Sequence, residues 1–378
     1  EVADAPARGV RRRAGPGAVR PGDRGALTTE VAELVGTLAD RGPRDPATLW
    51  ILTRGVHEAA SDEALSQSGL WGLAGVVGAE QPQLWGGLID LPAGSDPQLS
   101  SLLDVLSTPI KSVAVWRDGQ VRTSVLAEIT DEPVRETLRC RPDAAYLITG
   151  GLGVLGLLTA DWLADRGARR LVLAGRTALP SRRDWDAVSD PDVRGRIAAI
   201  RALELLGCQR RHRRARIADR DAVGAVLDRR DADGAPPIRG VVHAAGMTEA
   251  QLLTEIEADR VHGTVWPKVA GARVLDALFP PGSLDFLYLA ASAGAVFGIP
   301  GQGAYARATP TSTRWRGPGT PAATTPSAWT GSRGAGSASA ATPRSWSPNW
   351  SGSARGRSGR ARRSRRGTTS PASTSTRS

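Results

Sequence analysis

Apolar residues recur along residues 26–306 with two different periods, and the pattern stops at 307. From Thr29 to Arg41, the residues Val31, Leu34, Val35 and Leu38 fall at i, i+3, i+4 and i+7, one face of a helix. Leu49-Trp-Ile-Leu-Thr53 is an apolar run of strand length. Ser68 to Gly78 predicts an apolar helix, and Gly87-Leu-Ile-Asp-Leu91 a strand closed by Pro92. Val113-Ala-Val-Trp116, then Asp118-Gly119, then Val121 onward predict a hairpin, because Asp-Gly supplies the φ > 0 residues of a tight turn. No glycine-rich turn follows the first strand of this region, so residues 26–138 read as a structural unit.

From 139 the alternation restarts. Tyr146-Leu-Ile-Thr149 is a strand, followed by a glycine turn and a helix through Leu157, Leu158, Trp162 and Leu163 to Gly167. Arg170–Ala174 is the next strand, and helices follow at about Arg194–Leu206 and Asp219–Asp231. Val241–Gly246 reads as a strand running into a tight turn. Leu252–Leu278 is largely helical, and an apolar strand from Asp285 ends near Ser292. Strands alternating with helices predict an α/β fold with a doubly wound parallel sheet over 139–306, carrying its ligands at the carboxyl ends of the strands.

Residues 307–378 contain no Leu, Ile, Val, Met or Phe. Such a segment cannot bury enough apolar area to offset about 1–2 kcal/mol of backbone entropy per residue, so it is expected to be a disordered tail. Residues 1–25, rich in Arg, Gly and Pro, read as a loose basic arm. The chain begins at Glu1 without an initiator Met, which suggests a piece of something longer.

Charge changes the picture less than its size suggests. The net +11 includes 13 arginines after residue 306, with no acid or lysine there, leaving −2 (11 minus 13) for residues 1–306. That distribution argues against a nucleic-acid binder; binding through the arginine tail is the weaker alternative. Two cysteines, Cys140 and Cys208, argue against a disulfide scaffold and suit a reducing, cytoplasmic setting. The four histidines lack metal-ligand spacing, and no apolar run is long enough for a membrane span.

The chemistry lies in two places. Thr149-Gly-Gly-Leu-Gly-Val-Leu-Gly156 joins a strand to a helix. Gly150, Gly151, Leu152, Gly153 and Gly156 there would let a dinucleotide pyrophosphate approach backbone N–H groups. The next strand ends Ala174-Gly-Arg176, with no acid to read a ribose hydroxyl. Arg176 could instead pair with a 2′-phosphate, which favours NADPH. Ala244, Ala245 and Gly246 are small enough to let the cofactor pass, and His243 beside them reads as a packed histidine.

The second place is Lys268, Ser292 and Tyr305, at separations of 24 and 13 residues. A phenol can protonate a carbonyl oxygen, a hydroxyl can hold that oxygen, and an ammonium can ease loss of the phenol proton. With the glycine turn upstream, this predicts hydride transfer to a carbonyl.

These residues resemble the ketoreductase domain of modular and iterative type I polyketide synthases, a branch of the short-chain dehydrogenase/reductases. The resemblance runs over about residues 30–306. Leu70-Trp-Gly-Leu and Leu84-Trp-Gly-Gly-Leu-Ile-Asp-Leu-Pro92 look like that family's truncated, Rossmann-like structural subdomain. The resemblance implies NADPH-dependent reduction of a β-ketoacyl thioester carried by an acyl carrier protein, among other synthase domains. Tyr305 would donate the proton, Ser292 would orient the oxygen and Lys268 would support the relay. An inactive, reductase-like scaffold domain is the alternative. The wording Ser292-Ala-Gly-Ala-Val-Phe-Gly-Ile-Pro-Gly-Gln-Gly-Ala-Tyr305 looks most like bacterial iterative synthases that make aromatic acids. Two stereochemical signals of the family are missing, at Met247–Leu253 and at Phe297, where a tryptophan is expected.

The family pattern also calls for an asparagine four residues after the tyrosine, where this chain has Thr309. Read one base out of phase from the third base of the Arg307 codon, the codons permit GNAYLDALARARDTGGDDTISLDW, the family's wording, with asparagine at position 309. Cys208–Arg216 shows the same symptom, standing basic where a buried apolar strand is due. Both stretches read as frameshifts. As written, the chain is expected to lack a core strand, to lose order after residue 306, to fold poorly and to reduce little.

Overall fold

Two sheets organise the described chain, and each is built from the apolar runs in the sequence. A computed structural model describes residues 26–41, 47–58, 61–125, 128, 138–247 and 250–314; the arm expected at 1–25 and the chain beyond 314 lie outside them. The first half runs α1 (Ala26–Ala39), β1 (Leu49–Arg54), α2 (Asp62–Gln67), α3 (Gly69–Glu80), β2 (Trp85–Leu91), α4 (Leu99–Leu106), β3 (Val113–Arg117) and β4 (Gln120–Thr123). Strands β1, β2 and β3 pair in parallel, and β4 returns antiparallel on β3. The hairpin turns through Asp118 and Gly119 at φ 53° and 72°, the left-handed conformation that the Asp-Gly pair tolerates.

The second half runs β5 (Ala145–Thr149), α5 (Val154–Asp165), β6 (Arg170–Gly175), α6 (Pro191–Leu205), β7 (Gln209–Arg214), α7 (Arg220–Ala232), β8 (Ile238–His243), α8 (Ala258–Leu278), β9 (Phe286–Leu289), α9 (Gly294–Phe297) and α10 (Gly303–Arg314). Its five strands are all parallel, in the order β7-β6-β5-β8-β9. Strand β5 is buried at every residue, as expected of a central strand covered on both faces. One face packs Tyr146, Ile148, Leu171 and Leu173 against Leu157, Leu163 and Ile200. The other packs Leu147, Val172 and Val241 against Val223 and Leu275. The chain switches direction between β5 and β8, which opens the crevice where such sheets take ligands.

Two expectations need correction. The basic stretch 208–216 does not cost the sheet a strand: Gln209–Arg214 pairs with Arg170–Gly175 in register as edge strand β7. Ladder hydrogen bonds come from the backbone, and an edge strand is paired on one side only. Order also does not stop at residue 306, because α10 continues to Arg314 with Arg307, Ala308 and Thr309 buried. Arg307 is held by a hydrogen bond to Thr28 of α1, and burial pushes its guanidinium down to about 10.

The two halves meet along α3 and α10. A Cβ at Gly72 would lie 2.0 Å from the Ala306 carbonyl oxygen, so only glycine allows α10 to approach α3 so closely. Ala306 and Leu253 join the apolar cluster of the first half, beside Leu73 and Val77.

Candidate active site

The glycine turn sits between β5 and α5. Gly150 adopts φ +67°, and a Cβ there would come within 2.8 Å of the Ala244 carbonyl oxygen and 2.9 Å of the Ala245 Cα. A Cβ at Gly156 would lie 2.3 Å from the Gly150 carbonyl oxygen. Gly151 N–H donates to Ala174 O at 3.1 Å, tying the turn to β6. Gly153 precedes α5 and offers no side-chain cap, so the first N–H groups of this helix keep no capping side-chain acceptor. Gly153 N–H donates to Gly150 O at 2.8 Å, so the cradle is a turn shaped by glycines, and what it offers a dinucleotide pyrophosphate is the uncapped N-terminus of α5. Arg176 lies one residue past β6, exposed, with a guanidinium nitrogen 2.7 Å from the Met247 sulfur.

Residues 244–246 connect this cradle to the tyrosine. Ala244 and Ala245 face Gly150, and a Cβ at Gly246 would meet the Tyr305 ring at 3.8 Å. Tyr305 stands in the first turn of α10, partly exposed. Its hydroxyl makes no hydrogen bond among the described residues, and burial pushes its pKa up. The Lys268 Nζ lies 4.3 Å from the centre of the Tyr305 ring and donates to Thr309 Oγ1 at 2.9 Å. Thr309 Oγ1 lies 3.4 Å from the Tyr305 carbonyl oxygen, one turn back on the same helix.

Lys268 is 4 % exposed, and burial alone pushes its ammonium down to about 8. A cation on the face of a phenol stabilises the phenolate left when the proton departs. The lysine is aimed by its own backbone. His243 closes β8, with one ring nitrogen 2.6 Å from Thr149 Oγ1 and the other 2.9 Å from the Lys268 carbonyl oxygen. A Cβ at Gly271 would lie 2.6 Å from the His243 ring, so a glycine one turn along α8 makes room for it. Burial pushes His243 down to about 4, so it stays neutral here and links β5, β8 and α8. The histidine is therefore packed, as its setting in the sequence indicated.

Ser292 lies beyond the end of β9, where its Oγ accepts from Gly294 N at 3.1 Å. No hydrogen bond joins it to Lys268 or Tyr305 among the described residues. Lys268 and Tyr305 are brought together directly, while Ser292 borders the same carboxyl-end region. Sequence reasoning missed the role of Thr309 as the lysine's partner: position 309 drew attention only for the amide it lacks. Among the described residues no group of three or more His, Cys, Asp or Glu is placed to hold a metal ion, and no helix is long and apolar enough to cross a membrane.

Comparison with known proteins agrees with this geometry. The KR domain family matches residues 144–313. The chain is 57 % identical over 288 residues to a phenolphthiocerol/phthiocerol polyketide synthase of Mycobacterium tuberculosis, covering 75 % of this chain and 15 % of that protein. It is 39 % identical over 329 residues to 5-methyl-1-naphthoate synthase of Streptomyces sahachiroi, covering 80 % of this chain and 18 % of the relative. A solved A-type ketoreductase from a modular polyketide synthase superposes with a TM-score of 0.62 at 30 % identity, over 75 % of this chain and 58 % of that one. The chain therefore spans about 15 % of the length of the synthase it matches at 57 % identity. It carries a KR domain and belongs to the ketoreductases of polyketide synthases, which are NAD(P)-dependent oxidoreductases.

Proposed function

We propose that this domain reduces the β-ketone of an acyl chain held as a thioester on an acyl carrier protein, with NADPH as the reductant. The observation that carries the proposal is the continuous path from the Gly150 cradle, through Ala244–Gly246, to the Tyr305 ring and Lys268. NADPH, when bound, supplies the hydride. Gly150, Gly151, Leu152, Gly153 and Gly156 would hold its pyrophosphate, Arg176 its 2′-phosphate, and Ala244, Ala245 and Gly246 would line its passage. Tyr305 then donates the proton from its free hydroxyl to the ketone oxygen. Ser292 goes on accepting from Gly294 N–H and donates its own hydroxyl proton to orient that oxygen. Lys268 holds positive charge against the phenol face and passes its own hydrogen bond to Thr309. The hydroxyl of Thr309 stands where the family's pattern has an amide, and it keeps the lysine anchored to α10.

The domain works beside other synthase domains in the cytoplasm, where the free, buried thiols of Cys140 and Cys208 stay reduced. The 57 % relative is named for phthiocerol and the 39 % relative for an aromatic acid, so the acyl chain is not narrowed to aromatic precursors.

The test is NADPH oxidation coupled to formation of a β-hydroxyacyl thioester on a carrier protein. Turnover supports the proposal. Tight NADPH binding without turnover supports the second reading, an inactive scaffold domain, which Thr309 in place of the amide favours. In that case Thr309→Asn is expected to restore turnover, and failure to do so would remove the relay from the explanation.

A further inference from the structure

A carboxylate from the first half of the chain fastens both walls of the candidate site. Glu80 is the last residue of α3, half-buried, and lies far in sequence from the chemistry. One of its oxygens accepts from Leu253 N at 2.7 Å and the other from Gly301 N at 2.8 Å. Leu253 opens a short 3-10 helix seven residues after Gly246, and Gly301 lies four residues before Tyr305. The two segments are also tied to each other, Gln251 N donating to Gly301 O at 2.8 Å. Gly301 takes φ +78° and Gly298 φ +69°, so the approach to Tyr305 bends twice through conformations that little besides glycine adopts.

The same helix presses on the approach from below. A Cβ at Gly298 would lie 2.1 Å from the Gly75 carbonyl oxygen, and Gly72 touches Ala306 in the same way. Three points of α3, one per turn or so, therefore meet residues 298–306: Gly75, Gly72 and the Glu80 carboxylate. Two of these contacts are steric and would survive a change of charge. The third, made by hydrogen bonds, holds the opposite loop at the same time.

We propose that Glu80 is a positioning residue for the reduction, its bidentate carboxylate setting the spacing between the 250–253 loop and the 299–303 segment and so the placement of Tyr305 over the ketone. This rests on the reductase reading above. A placement error near 1 Å can cost about 100-fold in rate, so loosening one of three contacts should lower kcat by about 10-fold.

The experiment compares the full chain with Glu80→Ala and Glu80→Gln. It measures kcat and KM for the β-ketoacyl thioester, the NADPH Kd, the enantiomer ratio of the hydroxy product and amide hydrogen exchange. Expected for Glu80→Ala are a kcat lower by about 10-fold, an unchanged NADPH Kd, an eroded enantiomer ratio, and faster exchange confined to 250–253 and 299–303. Glu80→Gln should recover part of each change, since an amide offers one acceptor where the carboxylate offers two. A smaller folded fraction would lower the rate but leave the enantiomer ratio intact, so an unchanged ratio overturns the proposal. An unchanged kcat with a folded variant overturns it too. If the parent chain does not turn over, the reductase reading falls and the exchange data decide alone: no local acceleration at 250–253 and 299–303 would sink the brace.

Discussion

The two halves of this chain begin with the same move, a parallel strand followed by a turn, and finish it in opposite ways. After β5, glycines keep the turn low, and the N–H groups at the start of α5 have no capping side chain. After β1, the turn through Gly55 also enters the left-handed region, at φ +65°, but its N–H groups are already taken. Asp90, fully buried in β2, accepts from Val56 N at 3.1 Å, His57 N at 2.9 Å and Thr53 Oγ1 at 2.8 Å. Arg117 stands 3.5 Å from the same carboxylate. The first half thus carries its own anion where the second leaves room for one. On the proposed function, that difference would make the first half a support and the second a site.

The sharpest way to break the comparison is to fill the open turn. Gly150→Val puts a side chain within 2.8 Å of backbone at a positive φ, and it should weaken NADPH binding by about 100-fold or more, measured by fluorescence titration. Removing the internal anion should do the reverse. Asp90→Ala leaves the buried Val56 N–H and the part-buried His57 N–H without their acceptor and removes one of the two carboxylates beside Arg117, which keeps Glu58 at 3.1 Å. The expected loss is about 3 kcal/mol in denaturant unfolding, with NADPH Kd unchanged in the folded protein. If Asp90→Ala altered cofactor affinity as strongly as Gly150→Val, the division of labour would be wrong.

A smaller effect sharpens it further, because the site buries an ammonium whose hydrogen-bond partner is a neutral hydroxyl, whereas the support sets Arg117 beside a carboxylate. The Lys268 ammonium has a folded pKa of about 8 against an ordinary 10.5. In the unfolded chain the lysine still binds its proton between those values, so stability rises as pH climbs from about 8 to about 10.5. The full penalty, roughly 3 kcal/mol at most, is present below pH 8. Lys268→Met should therefore be more stable than the parent at pH 7 and lose that upward trend, while turnover falls steeply. The parent's turnover should decline above about pH 8 as the ammonium loses its proton. A parent unfolding curve that is flat from pH 8 to 10.5 would remove the burial argument.

Much of this was readable in advance, and the misses have identifiable causes. Tyr146–Thr149, Arg170–Ala174 and the Asp118-Gly119 turn announced themselves because apolar runs and turn chemistry are local properties. Strand β7 was hidden because its residues are basic, and only the partner strand β6 supplies the reason for it to extend. The continuation of α10 past residue 306 was hidden because it contains Thr, Ala, Arg and Pro310 with no large apolar residue; its order comes from α3 and α8 packed against it. Glycine spacing pointed to the turn between β5 and α5. The 24- and 13-residue separations pointed to Lys268 and Tyr305, which the fold brings into contact, and to Ser292, which bonds to neither. Thr309 and Glu80 left no such trace. Their partners are 41, 173 and 221 residues away along the chain, so only the folded arrangement brings them into view.

The central claim is that the Tyr305 hydroxyl delivers the proton beside a cofactor held in the Gly150 cradle. Tyr305→Phe removes that one oxygen and keeps the ring against Lys268 and Gly246. Reduction of the carrier-bound β-ketone should drop by about 100-fold to 10,000-fold while the NADPH Kd stays within a factor of about two. Turnover that persists at the parent rate in Tyr305→Phe, with cofactor still bound, would contradict the account.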